Sequence, residues 1–257
     1  MSSTAGVDRR YGSLMASVCL GLAAVLLTSP AVSSQKEGSS TMAAVQKLSA
    51  KQLAIPSIAA STALGDMPAL NAALNSGLDG GLTVSEAKEV LVQMYAYTGF
   101  PRSLNALGEL MKVLEARQQR GVRDMPGREP APAPTGKELL AVGTANQTRL
   151  SGGPVKGALF EFAPAIDEYL KTHLFGDIFS RENLDWQSRE LATVGALAAM
   201  TGVESQLLAH VRISMNVGLT AGELRNAMDS LAKAGHPEAA SRGRAALDKQ
   251  LVEAEKR

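Results

Sequence analysis

The chain has 257 residues, 45% of them hydrophobic but only 4% aromatic, and a formal net charge of +1. That length holds one or two domains, and apolar content drawn mainly from Ala, Leu and Val suits packed helices. The near-neutral balance, with no aromatic-studded basic stripe, excludes a nucleic-acid partner.

At the N-terminus Arg9 and Arg10 precede an uncharged stretch from Tyr11 to Gln35. Within it Leu14–Leu27 is a compact apolar core, followed by the small residues Ala31-Val32-Ser33. This order of basic, apolar and small predicts a secretory signal over residues 1–33 and a periplasmic or secreted chain. The apolar core is short for a membrane span, so no stable membrane insertion is expected after cleavage; an uncleaved anchor is the alternative. The only cysteine, Cys19, lies inside that core. A processed chain would therefore hold no disulfide, thiolate nucleophile or cysteine ligand.

Beyond the leader, one order of breakers occurs twice. Leu64-Gly65, Gly81-Leu82-Thr83 and Gly99-Phe100-Pro101 are answered by Thr201-Gly202, Gly218-Leu219-Thr220 and Gly235-His236-Pro237. The first two glycines of each set are 16 residues apart in both copies. Matched spacing of this kind means two copies of one helical unit. The first repeat is assigned to 42–117, a Pro/Gly-rich linker to 118–153, and the second repeat to 154–257. Inside the linker Lys137–Arg149 reads as a short helix. Ala158–Leu174 reads as a helix leading into the second repeat, and Phe175–Asn183 as a connector.

The helix starts agree between copies. Thr83-Val-Ser-Glu86 and Thr220-Ala-Gly-Glu223 are both capping boxes. Ser49 and Asp185 are the matching first N-caps. Pro101 and Pro237 fall in the first turn of the last helix of each unit, where proline is tolerated. Leu191, Val194, Leu197 and Ala198 recur at helical spacing, as do Leu207, Leu208, Val211 and Met215. With no alternating strand pattern, the expectation is an all-α protein built of helical hairpins.

The segments Leu184-Asp-Trp-Gln-Ser-Arg-Glu-Leu-Ala-Thr193, Leu208-Ala-His210-Val-Arg212 and Asn216-Val-Gly-Leu-Thr220 resemble the carboxymuconolactone decarboxylase family. So do Tyr95-Ala-Tyr97-Thr-Gly-Phe-Pro101-Arg102 in the first repeat and the lead-in Phe175–Arg181. The resemblance covers nearly all of the chain after its leader. It implies an alkylhydroperoxidase D-like fold in tandem, self-association as a trimer or hexamer, and one of two chemistries. One is lactone decarboxylation without metal or organic cofactor. The other is peroxide reduction through a Cys-x-x-Cys-x-x-x-His motif. That motif falls on Val203, Gln206 and His210, so the histidine is kept and both thiols are missing. Thiol-based peroxide reduction needs an attacking thiolate and a resolving thiol, and the sequence disfavours it.

Acid–base chemistry remains. Decarboxylating a lactone acid leaves a carbanion or enolate that must be stabilised and protonated. His210, at the family's histidine position and bearing an imidazole, a group that both gives and takes a proton, is the candidate proton donor. Glu190 lies 20 residues earlier; a turn at Thr201-Gly202 would set it opposite His210. Arg189 and Arg212 flank the pair and are candidates for holding a substrate carboxylate. The resemblance adds Tyr97 and Arg102 as residues lining the pocket from a neighbouring unit. The first repeat has Ala73 where the second has His210 and lacks the acid–base pair. One site per chain is therefore expected, where the head of repeat two meets the tail of repeat one, within a subunit or across subunits. His173 and His236 show no ligand spacing, and no metal site is expected.

The expected function is a cofactor-free lyase acting on a small carboxylated lactone or keto acid. The alternative is a non-catalytic ligand-binding or scaffold member. A cavity faced by His210 and an arginine would favour the first, and a site filled by side chains the second.

Overall fold

A computed structural model of the chain describes residues 47–256; the expected secretory signal and Cys19 lie outside the described residues. Every regular element among the described residues is helical. The first repeat consists of α1 (Ala50–Leu64), α2 (Met67–Asp79), α3 (Val84–Thr98) and α4 (Phe100–Gln119). Between the repeats come α5 (Gly136–Ser151), α6 (Ala158–Phe162), α7 (Pro164–Tyr169) and a π-helix (Leu170–Ile178). The second repeat consists of α8 (Trp186–Ala199), α9 (Glu204–Asn216), α10 (Ala221–Lys233) and α11 (Pro237–Glu255).

The starts of these helices are written into the side chains. Ser49, Thr83 and Thr220 each accept a hydrogen bond from the backbone N–H three residues on, and Gln52, Glu86 and Glu223 reach back to the cap. Asp185 accepts from Ser188 N–H at the start of α8. These caps satisfy backbone donors that a helix leaves free in its first turn. Gly65 and Gly202, after the first helix of each repeat, have φ of 74° and 79°. A side chain is disfavoured there, so the glycines permit the tight reversal into the second helix.

The repeats do not pack as two separate bundles. The first helices, α1 and α8, lie against each other most extensively, and each also packs on the third helix of the other repeat: α1 on α10 and α8 on α3. At the crossing, a Cβ on Gly195 would lie only 2.5 Å from the Pro56 carbonyl oxygen, so glycine sets the approach of α1 and α8. A single apolar core results, with Ile55, Ile58 and Leu91 from one repeat against Leu191 and Leu197 from the other. Burying a side chain such as Leu191 contributes about 2 kcal/mol. This crossing carries the tail of α3 to the head of α8.

The segment between the repeats is less of a tether than its Pro/Gly content implies. Residues 125–128 lie across the start of α3, where Val84 and Ser85 N–H donate to the Met125 and Pro126 carbonyls and Ser85 Oγ donates to Arg128 O. Further on, α5 packs on the π-helix and touches α9. Leu150, Leu174, Phe175, Ile178 and Phe179 form a second small core with Ile213 of α9, and Tyr97 packs at its edge. The single helix expected over Ala158–Leu174 is broken, and the chain is helical to Ile178 where a connector is expected. Ala163 precedes Pro164 and has φ −129° and ψ 73°; the proline ring drives its predecessor out of helical geometry.

Candidate functional site

Three helices supply the site. Helix α8 carries Arg189, Glu190 and Thr193, and α9 carries His210. Helix α3 carries Glu89, Gln93 and Tyr97 at four-residue steps, which places the three on one face, turned towards α8. The reversal at Gly202 makes α8 and α9 neighbours, and His210 Nδ1 lies 2.8 Å from Glu190 Oε2. A carboxylate only accepts, so Nδ1 carries the proton and Nε2 is left for other chemistry. Glu190 is fully buried and His210 nearly so. The second carboxylate oxygen of Glu190, Oε1, is buried with no partner. Buried polar atoms are ordinarily satisfied, which makes this oxygen an open acceptor beside the imidazole.

Tyr97 closes the arrangement from the first repeat. Its ring meets that of His210 edge-on, with centroids 5.6 Å apart and planes at 81°. Its hydroxyl is buried and has no hydrogen bond of good geometry; Thr193, which comes near, donates instead to Arg189 O. Burial raises the Tyr97 pKa, and the Glu190 carboxylate raises it further. The phenol therefore stays neutral across the physiological range.

Beside the dyad runs a buried ionic network. Glu89 accepts from Arg181 Nε at 2.9 Å and from Arg189 Nη2 at 2.9 Å. Gln93 accepts from Arg189 Nη1 and donates to Arg189 O and Thr193 Oγ1. Desolvation raises the Glu89 pKa, but its hydrogen bonds and ion pairs with Arg181 and Arg189 outweigh this and leave it below the usual carboxylate range. Desolvation lowers the Arg189 pKa, and Glu89 opposes the change.

This network corrects the sequence-based expectation for Arg189. Its side chain is 0% exposed and committed to Glu89, Gln93 and the Arg181 carbonyl, so it balances a buried carboxylate and does not face a ligand. Arg212 makes no ion pair among the described residues, and its Nε is buried without a partner. It stands two residues from His210, and such residues point to different sides of a helix. Arg102 is exposed in the first turn of α4. Thus His210, Glu190 and Tyr97 come together within one chain, whereas none of the three arginines joins them. Glu89, Gln93 and Arg181 were missed by sequence reasoning. The i, i+4, i+8 polar stripe on an otherwise apolar helix was the available sign of the first two.

Among the described residues, five of the surface pockets have linings that include neither His210 nor Glu190 nor Tyr97. The core formed by α5, the π-helix and Ile213 lies over this side of α9 and α3. Among the described residues no group of three or more His, Cys, Asp or Glu side chains is placed to hold a metal ion. A family model described as the carboxymuconolactone decarboxylase family matches residues 38–111 and 164–249, one segment on each repeat. No curated protein matches the chain at a significant level.

Proposed function

The chain belongs to the carboxymuconolactone decarboxylase family, and from that premise we propose that it is a cofactor-free acid–base lyase acting on a small carboxylated lactone or keto acid. The observation that carries this reading is the buried contact of 2.8 Å between His210 Nδ1 and Glu190 Oε2. Family membership alone extends to decarboxylase or alkylhydroperoxidase-like activity. A chain whose one cysteine is Cys19 lacks the thiol pair that the second chemistry uses.

In the proposed reaction the bond between the substrate carboxylate and its α-carbon breaks, and carbon dioxide leaves. The electron pair of that bond passes into the adjacent carbonyl as an enolate. Protonated His210 then gives its Nε2 proton to the carbon, and Glu190 stabilises the imidazolium through Nδ1. A low-dielectric setting strengthens that stabilisation. Tyr97, neutral and packed edge-on, acts as a wall and not as an acid. Access requires its ring to turn away from His210.

A second reading, a ligand-binding member without catalysis, is favoured by one observation: Tyr97 packs edge-on against His210, and none of those five pockets reaches the imidazole. The two readings separate in one experiment. Purified protein is supplied with a panel of carboxylated lactones and keto acids, and carbon dioxide release is followed. The lyase reading expects turnover that falls by about 10²- to 10⁴-fold in His210→Ala and less in Glu190→Gln. Folded protein without turnover across the panel, or turnover unchanged in His210→Ala, would reject it.

A further inference from the structure

The two repeats correspond at an offset of 137 residues from Gly65 and Gly202 through Gly81 and Gly218, which falls to 136 only at Gly99 and Gly235, after the third helix. The crossed packing of α1, α8, α3 and α10 therefore creates the same location twice, once at each repeat. Around His210 that location holds the larger side chains of Glu190, Gln93, Ile213 and Tyr97. At the first repeat Leu53 stands for Glu190, Ala73 for His210, Ser230 for Gln93, Ser76 for Ile213 and Ala234 for Tyr97. All five line a single pocket of about 400 Å³. The first repeat thus has a cavity where the second has the acid–base pair.

We infer that this cavity is a second small-molecule site, for a neutral and mainly apolar molecule carrying one carbonyl oxygen, such as an unsubstituted lactone or ketone. Four observations support it. No charged residue lines the pocket, so a carboxylate would lose its hydration there without a counter-ion. Ser57 lines it, is only 3% exposed, and its Oγ has no hydrogen-bond partner. Ser230 Oγ, also in the lining, already donates to Leu53 O, which leaves Ser57 as an unpaired hydroxyl beneath the cavity wall that donates to a ligand carbonyl once its side chain turns inward. The volume lies within the range of small-ligand pockets. The roof over the second repeat, where Leu150 packs with Ile213, is built by an insert that occurs once in the chain. The first-repeat pocket carries the exposed Ser76 at that position and stays open.

The inference is independent of catalysis at His210, and its test can be run in the His210→Ala protein as well. Protein labelled at its alanine methyl groups is titrated with γ-octalactone and, separately, with octanoate, which has the same number of carbons and a charge. Saturable shifts are expected at Ala54, Ala69, Ala72 and Ala73 with the lactone, and binding at least tenfold weaker with octanoate. Ser57→Ala should weaken lactone binding about fivefold. Ala73→Phe fills the cavity and should abolish binding. Ala234→Tyr does the same from the exposed rim, where folding is not at stake. The inference fails if no saturable shift occurs at lactone concentrations on the order of 10 mM, or if octanoate binds equally well. It fails also if both filling variants still bind. Filling variants that dissociate an oligomer on sedimentation would instead make the cavity a contact between copies and overturn the small-molecule assignment.

Discussion

Glu89 carries two guanidinium groups in a setting where it is almost fully buried. A buried ion pair gives little net stability, but removing one member leaves the other charge uncompensated at a cost of about 3–5 kcal/mol. Glu89→Gln should therefore lower stability to urea unfolding by about that amount at neutral pH; a loss within about 1 kcal/mol would place the pair among interactions the fold can spare. The pH dependence has a definite sign. The folded-state pKa of Glu89 is depressed, so its stabilising contribution is complete above the ordinary glutamate range and is lost as pH falls through the lowered value. Wild type should lose more stability than Glu89→Gln on acidification across that window. At this scale the sequence set Glu190 opposite His210, because 20 residues and one glycine turn relate them, and the structure brings them into contact at 2.8 Å. It did not show that Arg189 was already taken, because its partner Glu89 is 100 residues away in the chain.

Among elements, the contact of α1 with α8 governs the site, since it brings α3 to the head of α8. Gly195→Ala at that crossing raises helix propensity by up to about 1 kcal/mol. It also drives a methyl group into the Pro56 backbone, and overpacking costs about 1–3 kcal/mol. The steric effect wins, and a net loss of thermal stability is expected. Gly108 in α4 has open space around an added Cβ, so Gly108→Ala should be neutral or stabilising in the same measurement. A Gly195→Ala protein as stable as wild type would mean that α1 and α8 can separate without cost. The helix starts were legible because capping is local. The break at Ala163-Pro164 lay in the same kind of local chemistry, but apolar periodicity running on to Leu174 masked it.

For the molecule as a whole, Leu159, Phe162, Ile166 and Tyr169 follow one another at steps of three and four residues and are 66%, 89%, 45% and 64% exposed. The break at Ala163 divides them between α6 and α7, and exposed apolar side chains concentrated in one segment in this way mark a contact. Within the proposed function this segment is where a second copy would bind, as self-association of the family leads one to expect. Sedimentation should then give an oligomer, and Phe162→Glu should shift it towards the monomer. A wild type that remains monomeric at every concentration would remove self-association from the reading.

By itself the sequence determined the helical class, the two matched units, their caps and turns, and the facing positions of His210 and Glu190. Each of these depends on residues within about 20 positions of one another, where backbone geometry alone relates side chains. Only the tertiary structure decided that α3 crosses to α8, that Tyr97 covers His210 within the same chain, and that Arg189 belongs to Glu89. It also decided that the equivalent place in the first repeat is hollow. Those outcomes rest on packing between segments far apart in the chain, where the shapes of Gly195 and Pro56 and the need of a buried charge for a partner select one arrangement.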